Sequence, residues 1–418
     1  MSLAVLGATL DGATVGVRAV EGTIVALGAD VTPEPGDEVI DGRGRLLLSG
    51  LVNGHTHAAM TLFRGYGSDL RLMDWLEHRI WPAEAKLTED DVYWGTRLAC
   101  VEMIRSGTVS FWDMYWEPAG VARAVVDCGM RATVGLPLVD GMDPERGREV
   151  QAEGAAALDS LADGGPRVSA SVTPHGIYTV SAETLTWAAE QAATRDVPIH
   201  LHFLEIEEEV TGCLERYGER PASFLDRLGV LGPRTVLAHG VWMEEPELEL
   251  LAARGCTVVT NPVSNLKLAV GRIFPYGSVR AHGIPVGLGT DGASSNNSLD
   301  LVADVKFLAL LQKHAQHDAA ALPAHEAWDV VTGMLAPRLG QRALDVGAPA
   351  DFLLACADAP ELNPGNPIAN LVYAASGAVI DTTVIDGQVV MRDGVIDGEE
   401  EVRAKAVEAA HRLGVLEP

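Results

Sequence analysis

Two histidines two residues apart, His55 and His57, close an apolar run in LVNGHTHAAM. On a β-strand, positions i and i+2 project from one face, so both imidazoles can reach one ion. Two ordinary polar residues at a strand end would read the same way, and the later runs change the balance. His202 in PIHLHFLE, His239 in TVLAHG and Asp291 in VGLGTDG each stand at the C-terminal end of an apolar run. Neutral imidazoles with one hard oxygen suit Zn²⁺, with Fe²⁺ or Mn²⁺ as substitutes, and leave a coordination position for water. His200 alternates onto the same face as His202. His202 is preferred as the ligand because Glu205 follows it, where a proton-shuttling carboxylate would stand. His175, closing VTPH, points toward the same mouth, with a loop histidine bonded to backbone as the plainer reading. His78, His282, His314, His317, His325 and His411 lie in helical or loop context and are expected on solvated surface.

Elements that could hold these residues are legible in the patterning around them. RVSASVTPH then AETLTWAAEQAATRD, VPIHLHFLE then EEEVTGCLERYG, and TVLAHGV then EEPELELLAARG each pair a short apolar strand with an Ala/Leu/Glu-rich helix. That alternation builds a parallel sheet, and residues 49–345 hold about the number of units a (β/α)₈ barrel requires. A doubly wound sheet is the alternative, but no G-x-G-x-x-G follows a strand. In such barrels catalytic groups stand at the C-terminal strand ends, where these histidines fall. Both chain ends have a different texture. Residues 3–48 read as short strands separated by Asp-Gly and Glu-Gly turns, and TTVIDGQVVMRDG places Asp386-Gly387 between two Val/Ile-rich runs. Each segment is too small to stand alone, so the two are expected to pair.

The 418 residues carry 31 basic and 58 acidic side chains, a formal charge of −27 that repels phosphate backbones and anionic headgroups. Nucleic acid and membrane surfaces are therefore not expected as partners. Lysine occurs only at 86, 267, 306, 313 and 405, a skew toward arginine that with the acidity suggests a salt-adapted or high-GC source. Five scattered cysteines with no C-x-x-C fit a reducing compartment. No basic segment followed by a long apolar stretch opens the chain, and no run of eighteen apolar residues occurs, so a soluble, cytoplasmic protein is expected.

Taken together, GLVNGHTHAAMTLFRGYGSDLRLMDWLEHRIWPAE at 50–84, VTPHGIYTVS at 172–181, HFLE at 202–205, LAHG at 237–240, NPVSNLKLAVG at 261–271 and GLGTDGASSNNSLDL at 287–301 resemble the amidohydrolase superfamily. Within it they resemble the 5-methylthioadenosine/S-adenosylhomocysteine deaminases, nearly end to end. The resemblance implies an α/β fold, a (β/α)₈ TIM-type barrel at 49–345 with a composite β-sandwich from 1–48 plus 346–418. It implies that His55, His57, His202 and Asp291 ligate one divalent metal, with His239 beside the bound water and Glu205 relaying a proton to the purine ring. It implies substrate contacts from Glu84, to the ribose hydroxyls, and from His175. Relatives with two metals bridge them with a lysine on an intermediate strand; no lysine occurs between Lys86 and Lys267.

The implied reaction is hydrolytic deamination of methylthioadenosine, adenosine, 5′-deoxyadenosine or S-adenosylhomocysteine to the hypoxanthine nucleoside and ammonia. Asp291 accepts the proton of the attacking water. Members that accept S-adenosylhomocysteine share two arginines for its amino-acid carboxylate. Here those positions read Leu136 and Arg148, with Arg146 as a replacement, which predicts a preference for an uncharged 5′ group. Alternatives are a related hydrolase of a guanine- or triazine-type heterocycle and a non-catalytic binding homologue; a homo-oligomer is left open.

Overall fold

A computed structural model describes residues 2–70, 72–340 and 343–416. The opening meander forms as its turn residues dictate. Strands β1 (Ser2–Leu10), β2 (Ala13–Val20) and β3 (Thr23–Gly28) pair antiparallel in order. Asp11-Gly12 and Glu21-Gly22 turn the chain with positive φ at both residues, as two-residue hairpins with right-handed strand twist require. Asp386-Gly387 does the same between β17 (Ile380–Ile385) and β18 (Gln388–Met391). With β4 (Glu38–Asp41), β5 (Arg45–Ser49) and β16 (Phe352–Cys356), these strands form one eight-stranded sheet in the order β18-β17-β16-β5-β1-β2-β3, β4 lying beside β1. Strands from both termini thus share one sheet, joined where β16 runs antiparallel to β5. Its own apolar core includes Leu3, Val5, Ile24, Leu47, Phe352 and Val384.

Between β5 and β6 (Leu51–Thr56) a single glycine carries the chain into the second unit. A Cβ on Gly50 would meet Val109 Cγ2 at 2.5 Å, so only glycine lets the strand pass that close. The barrel then runs in sequence order: β6, β7 (Thr108–Met114), β8 (Arg131–Gly135) continued by β9 (Pro137–Leu138), β10 (Val168–Ala170) continued by β11 (Thr173–Pro174), β12 (Ile199–Phe203), β13 (Thr235–His239), β14 (Thr257–Thr260) and β15 (Val286–Leu288). Neighbours are parallel. A Val172–Ile199 bridge joins the two halves, and the Asp291 N–H donating to His55 O at 3.0 Å closes the ring beyond β15.

Helices follow the strands as the Ala/Leu/Glu-rich stretches predict: Ala182–Arg195, capped by the Ser181 hydroxyl, Glu207–Tyr217 and Glu245–Arg254. The last helix, Glu399–Leu413, departs from the β texture read at the C-terminus. Its Ala406, Ala409, Ala410 and Leu413 belong to the barrel's core, where the helix lies against Glu89–Arg105. Small residues every three or four positions give it a face flat enough to do so. No helix among the described residues is long and apolar enough to cross a membrane.

Candidate metal centre at the barrel mouth

Strand ends bring the predicted residues together. His55 and His57 come from the end of β6 and beyond it, His202 from β12, His239 from the last position of β13, and Asp291 from three residues past β15. One ligand atom from each of His55, His202, His239 and Asp291 lies within 4.8 Å of the others. His57 joins them, its Nε2 3.2 Å from both Asp291 Oδ1 and His202 Nε2. His239 and Asp291 have φ of +76° and +62°. Such conformations are unfavourable for residues with a Cβ and concentrate at functional sites, here turning the side chains inward from the strand ends. Gly289 gives room for that turn, since a Cβ there would meet Asn261 Oδ1 at 2.4 Å.

Each imidazole is oriented through Nδ1. His57 donates to Met114 O at 2.6 Å, His202 to His175 O at 2.7 Å, and His239 to Asn265 Oδ1 at 2.8 Å. His55 Nδ1 lies 2.9 Å from Nε2 of His200. With Nδ1 protonated in all four, every Nε2 lone pair is free for a cation, the arrangement in which partners behind the ligands fix their tautomers. His200 is thus brought in behind His55 and not into the ligand set.

The site's electrostatics favour a cation. Burial pushes His55 down to about 4. Burial also acts against charge on His57, yet Asp291 outweighs it and raises that ring to about 9, a second proton on Nε2 that a bound cation would displace to free the lone pair. Burial would raise Asp291 too, but the flanking histidines hold it well below the usual carboxylate range. His55 Nε2 is fully buried without a hydrogen-bond partner, which is unusual for a polar atom unless an ion completes it. Imidazole nitrogens converging on one carboxylate oxygen fit a divalent ion.

Above the cluster opens a cavity of about 730 Å³, walled by Leu72, Trp75, Leu76, Trp81 and Trp116. That size suits a nucleoside-sized ligand. Glu84, His175 and Glu205 also line it. Glu84 ends the short helix Trp81–Glu84 beside Tyr115 and Trp116, and burial raises its pKa. His175 Nδ1 lies 2.9 Å from Thr179 Oγ1, and burial lowers the ring to about 3, leaving it neutral. Glu205 sits with Oε1 3.8 Å from His239 Nδ1, and burial raises its pKa, suiting it to carry a proton.

Arg148 is not brought to this group. It lies on helix Pro144–Ala162 with 70% of its side chain exposed, 4.0 Å from Glu145, because its position faces solvent. Arg146 is engaged by Glu149 and Glu153 on the same helix. Leu136 lies at the break between β8 and β9 and points the other way, into a small space with Leu158, Leu161 and Trp187. Pro137 and Val139 face the cavity instead. The arginine-pair reading is therefore corrected.

Three supporting residues escaped the sequence. Glu209, within the helical stretch EEEVTGCLERYG, is buried and accepts the N–H groups of Leu204 and Glu205 at 3.0 and 2.7 Å, fixing the loop that carries Glu205. Burial pushes it up to about 7. Ser264 and Ser295 donate to Asp291 Oδ2 at 2.6 and 2.7 Å, leaving Oδ1 to face the histidines. Their motifs, NPVSN and GASSNN, were visible but silent about direction. Converting both serines to alanine is expected to weaken metal retention about 10- to 100-fold, the usual effect of removing partners behind a ligand. Competition with a chromogenic chelator measures it, and unchanged affinity would mean the hydroxyls merely fill space.

Comparison with known proteins gives a consistent outcome. The Amidohydrolase family model matches residues 46–390. The chain is 46% identical over 400 residues to a 5′-deoxyadenosine deaminase of Methanoregula boonei, covering 94% of this chain and 90% of that protein. It is 42% identical to 5-methylthioadenosine/S-adenosylhomocysteine deaminase 1 of Archaeoglobus fulgidus, covering 90% of each. Among solved structures, an adenosine deaminase from Xanthomonas campestris with bound zinc superposes with a TM-score of 0.90 at 32% identity, covering 96% of this chain and 94% of that one.

Proposed function

The chain belongs to the amidohydrolase family, and from that premise we propose that it deaminates 5′-modified adenosines with one divalent ion, zinc, held by His55, His57, His202 and Asp291. The observation that carries this reading is the buried Glu205 placed beside a four-histidine, one-carboxylate cluster at the floor of a nucleoside-sized cavity.

When bound, the ion supplies positive charge that brings the pKa of water toward neutrality. Asp291 accepts the proton of the attacking water, kept ionised by its surroundings. His239, held through Asn265, orients that water through its free Nε2. Glu205 protonates the purine ring nitrogen next to that carbon, a transfer worth about 10²–10⁴-fold for a positioned acid. Asp291 then passes its proton to the departing amine, the proton left on the added hydroxyl returns to Glu205 as the carbonyl forms, and ammonia and the hypoxanthine nucleoside remain. Glu84 binds the ribose hydroxyls and His175 contacts the substrate as a neutral ring. The tryptophan and leucine walls exclude bulk water and pack the base. Five unbridged cysteines support a reducing, cytoplasmic setting.

The 5′ preference now rests on the cavity itself. No Arg or Lys lines it among the described residues, whereas Glu84 and Glu117 do. A carboxylate tail deprived of a charge-assisted partner forgoes about 1.5–3 kcal/mol, or roughly ten- to a hundredfold. Methylthioadenosine, adenosine or 5′-deoxyadenosine should therefore exceed S-adenosylhomocysteine in kcat/KM by at least about tenfold. Arg148→Ala should leave all of them unchanged. A side-by-side screen of ammonia release decides: S-adenosylhomocysteine as the best substrate overturns the preference, and release from none of the adenosines overturns the function.

A further inference from the structure

His55, His202 and His239 stand within strands, but His57 falls just outside one. β6 ends at Thr56, and its pairing with β7 is irregular between Asn53 and Thr56, so the register alone does not fix where the next residue stands. The two residues before it are tied across the seam of the barrel: Asp291 donates its N–H to His55 O at 3.0 Å, and the Thr56 hydroxyl donates to Asp291 O at 2.9 Å. A short 3₁₀ helix, Ala58–Phe63, follows at once, with His57 as its N-cap. Farther along, that helix is clamped against helix Glu89–Arg105, where the Thr61 hydroxyl donates to Gly95 O at 2.6 Å and a Cβ on Gly95 would meet Ala59 O at 2.8 Å.

Its near end is held by two consecutive residues of β7. His57 Nδ1 donates to Met114 O at 2.6 Å, and the Ala58 N–H donates to Asp113 Oδ1 at 2.6 Å. Strand alternation brings Asp113 to that place. Trp112 turns into the barrel, its ring 5.7 Å from that of His200, and Met114 lines the large cavity, so Asp113 between them projects the other way, toward the helices. His57 gives the 3₁₀ helix no side-chain cap, its ring being engaged by Met114, and the cap comes from Asp113 instead. Asp113 is fully buried, and its Oδ2 has no hydrogen-bond partner. A buried carboxyl satisfied at one oxygen alone is unfavourable, and an apolar side chain would fill the same space without that penalty. Burial pushes the group up to about 7, yet its carbonyl oxygen accepts the Ala58 N–H with or without the charge.

We propose that Asp113 is a positioning residue for the metal centre, a role that rests on the reading of His57 as a ligand: by holding Ala58 it fixes the step from strand to helix at which His57 stands, and so sets how tightly the ion is kept. His57 Nε2 is 3.2 Å from both Asp291 Oδ1 and His202 Nε2, a spacing that lets the three share one ion. Two bonds to adjacent residues of β7 hold it there, where one would leave a hinge. Met114 O sets the turn of the ring, and Asp113 sets the backbone from which the ring hangs. Without Asp113 the backbone at residue 57 can pivot about the Met114 bond, and the ring no longer meets its fellow ligands at one point. The position needs an acceptor oxygen and does not need its charge.

The experiment uses the full chain loaded with Co²⁺ in place of zinc, because the visible absorption of cobalt reports the geometry of its ligands. Parent, Asp113→Asn and Asp113→Leu are compared for that spectrum and for affinity by competition with a chelator, while circular dichroism of the metal-free proteins verifies the fold. Asparagine keeps an acceptor at the same reach, so its bands and affinity should match those of the parent. Leucine keeps the volume and loses the acceptor, so affinity should fall about 10- to 100-fold, the usual effect of removing a partner behind a ligand, and the cobalt bands should shift. A purely structural role would lower the melting temperature of the metal-free protein and leave the bands in place. Parent-like bands and affinity in a folded Asp113→Leu overturn the proposal, as does an asparagine variant as weak as the leucine one. Should leucine prevent folding, Asp113→Asn decides: parent-like bands and affinity support the role, and weakened binding overturns it. A parent chain that takes up no cobalt overturns the metal reading and this role with it.

Discussion

Asp291→Ala is expected to lose both metal and turnover, with kcat/KM reduced by on the order of 10⁴ or more, because the proposed mechanism gives this one side chain the roles of ligand and base. Removing it deletes the oxygen on which His55 and His57 converge, at 3.4 and 3.2 Å. It also releases the Ser264 and Ser295 hydroxyls that hold the carboxylate in place. Histidines brought together without a counter-charge repel as soon as one gains a proton, so the cluster itself should loosen. Elemental analysis beside an ammonia-release assay measures both losses. A protein that stayed metallated and active would disprove the assignment of this centre.

Glu205→Gln separates proton transfer from metal binding. Glutamine keeps the shape of the side chain, and Glu209 still accepts the backbone N–H groups of residues 204 and 205, so the loop should hold. The metal content should be unchanged. Turnover should fall about 10²–10⁴-fold, the contribution of a positioned general acid. Single-turnover measurement on metal-replete protein reads the chemical step directly. A rate near that of the parent removes Glu205 from the mechanism.

Strand ends are legible in the sequence, but the depth and direction of side chains at and beyond them are not. His200 and His202 share a face by alternation, yet only backbone placement shows that His200 sits one pleat deeper, against His55. Leu136 defies the pattern because β8 breaks at that residue, and a break resets which face a side chain occupies. Arg148 shares a helix start with Arg146 and Glu145, where charge pattern alone does not say which side meets solvent. Glu209 looks solvated in a run of three glutamates. The positive φ of Leu204, +51°, bends the loop back over the helix start and buries it. By contrast, the Asp-Gly and Glu-Gly turns are readable because their chemistry is local: two positive φ angles in succession demand such residues.

The sheet shared by both termini has a bearing on how the chain is made. β5 pairs with β16 from Ser49 opposite Phe352 to Arg45 opposite Cys356, and Arg45 reaches Asp381 across 336 residues. At about 5–20 residues per second, roughly 300 residues of synthesis separate the two edges by about 15–60 s. The first meander can close early on its local turns, but the β5 edge emerges with its backbone groups unpaired and an apolar face awaiting a partner, a template for wrong pairing. The barrel can form in that interval. The terminal sheet and the final helix Glu399–Leu413 are therefore the last parts to assemble, and a chain cut short before β16 keeps an open edge however well its metal site is built.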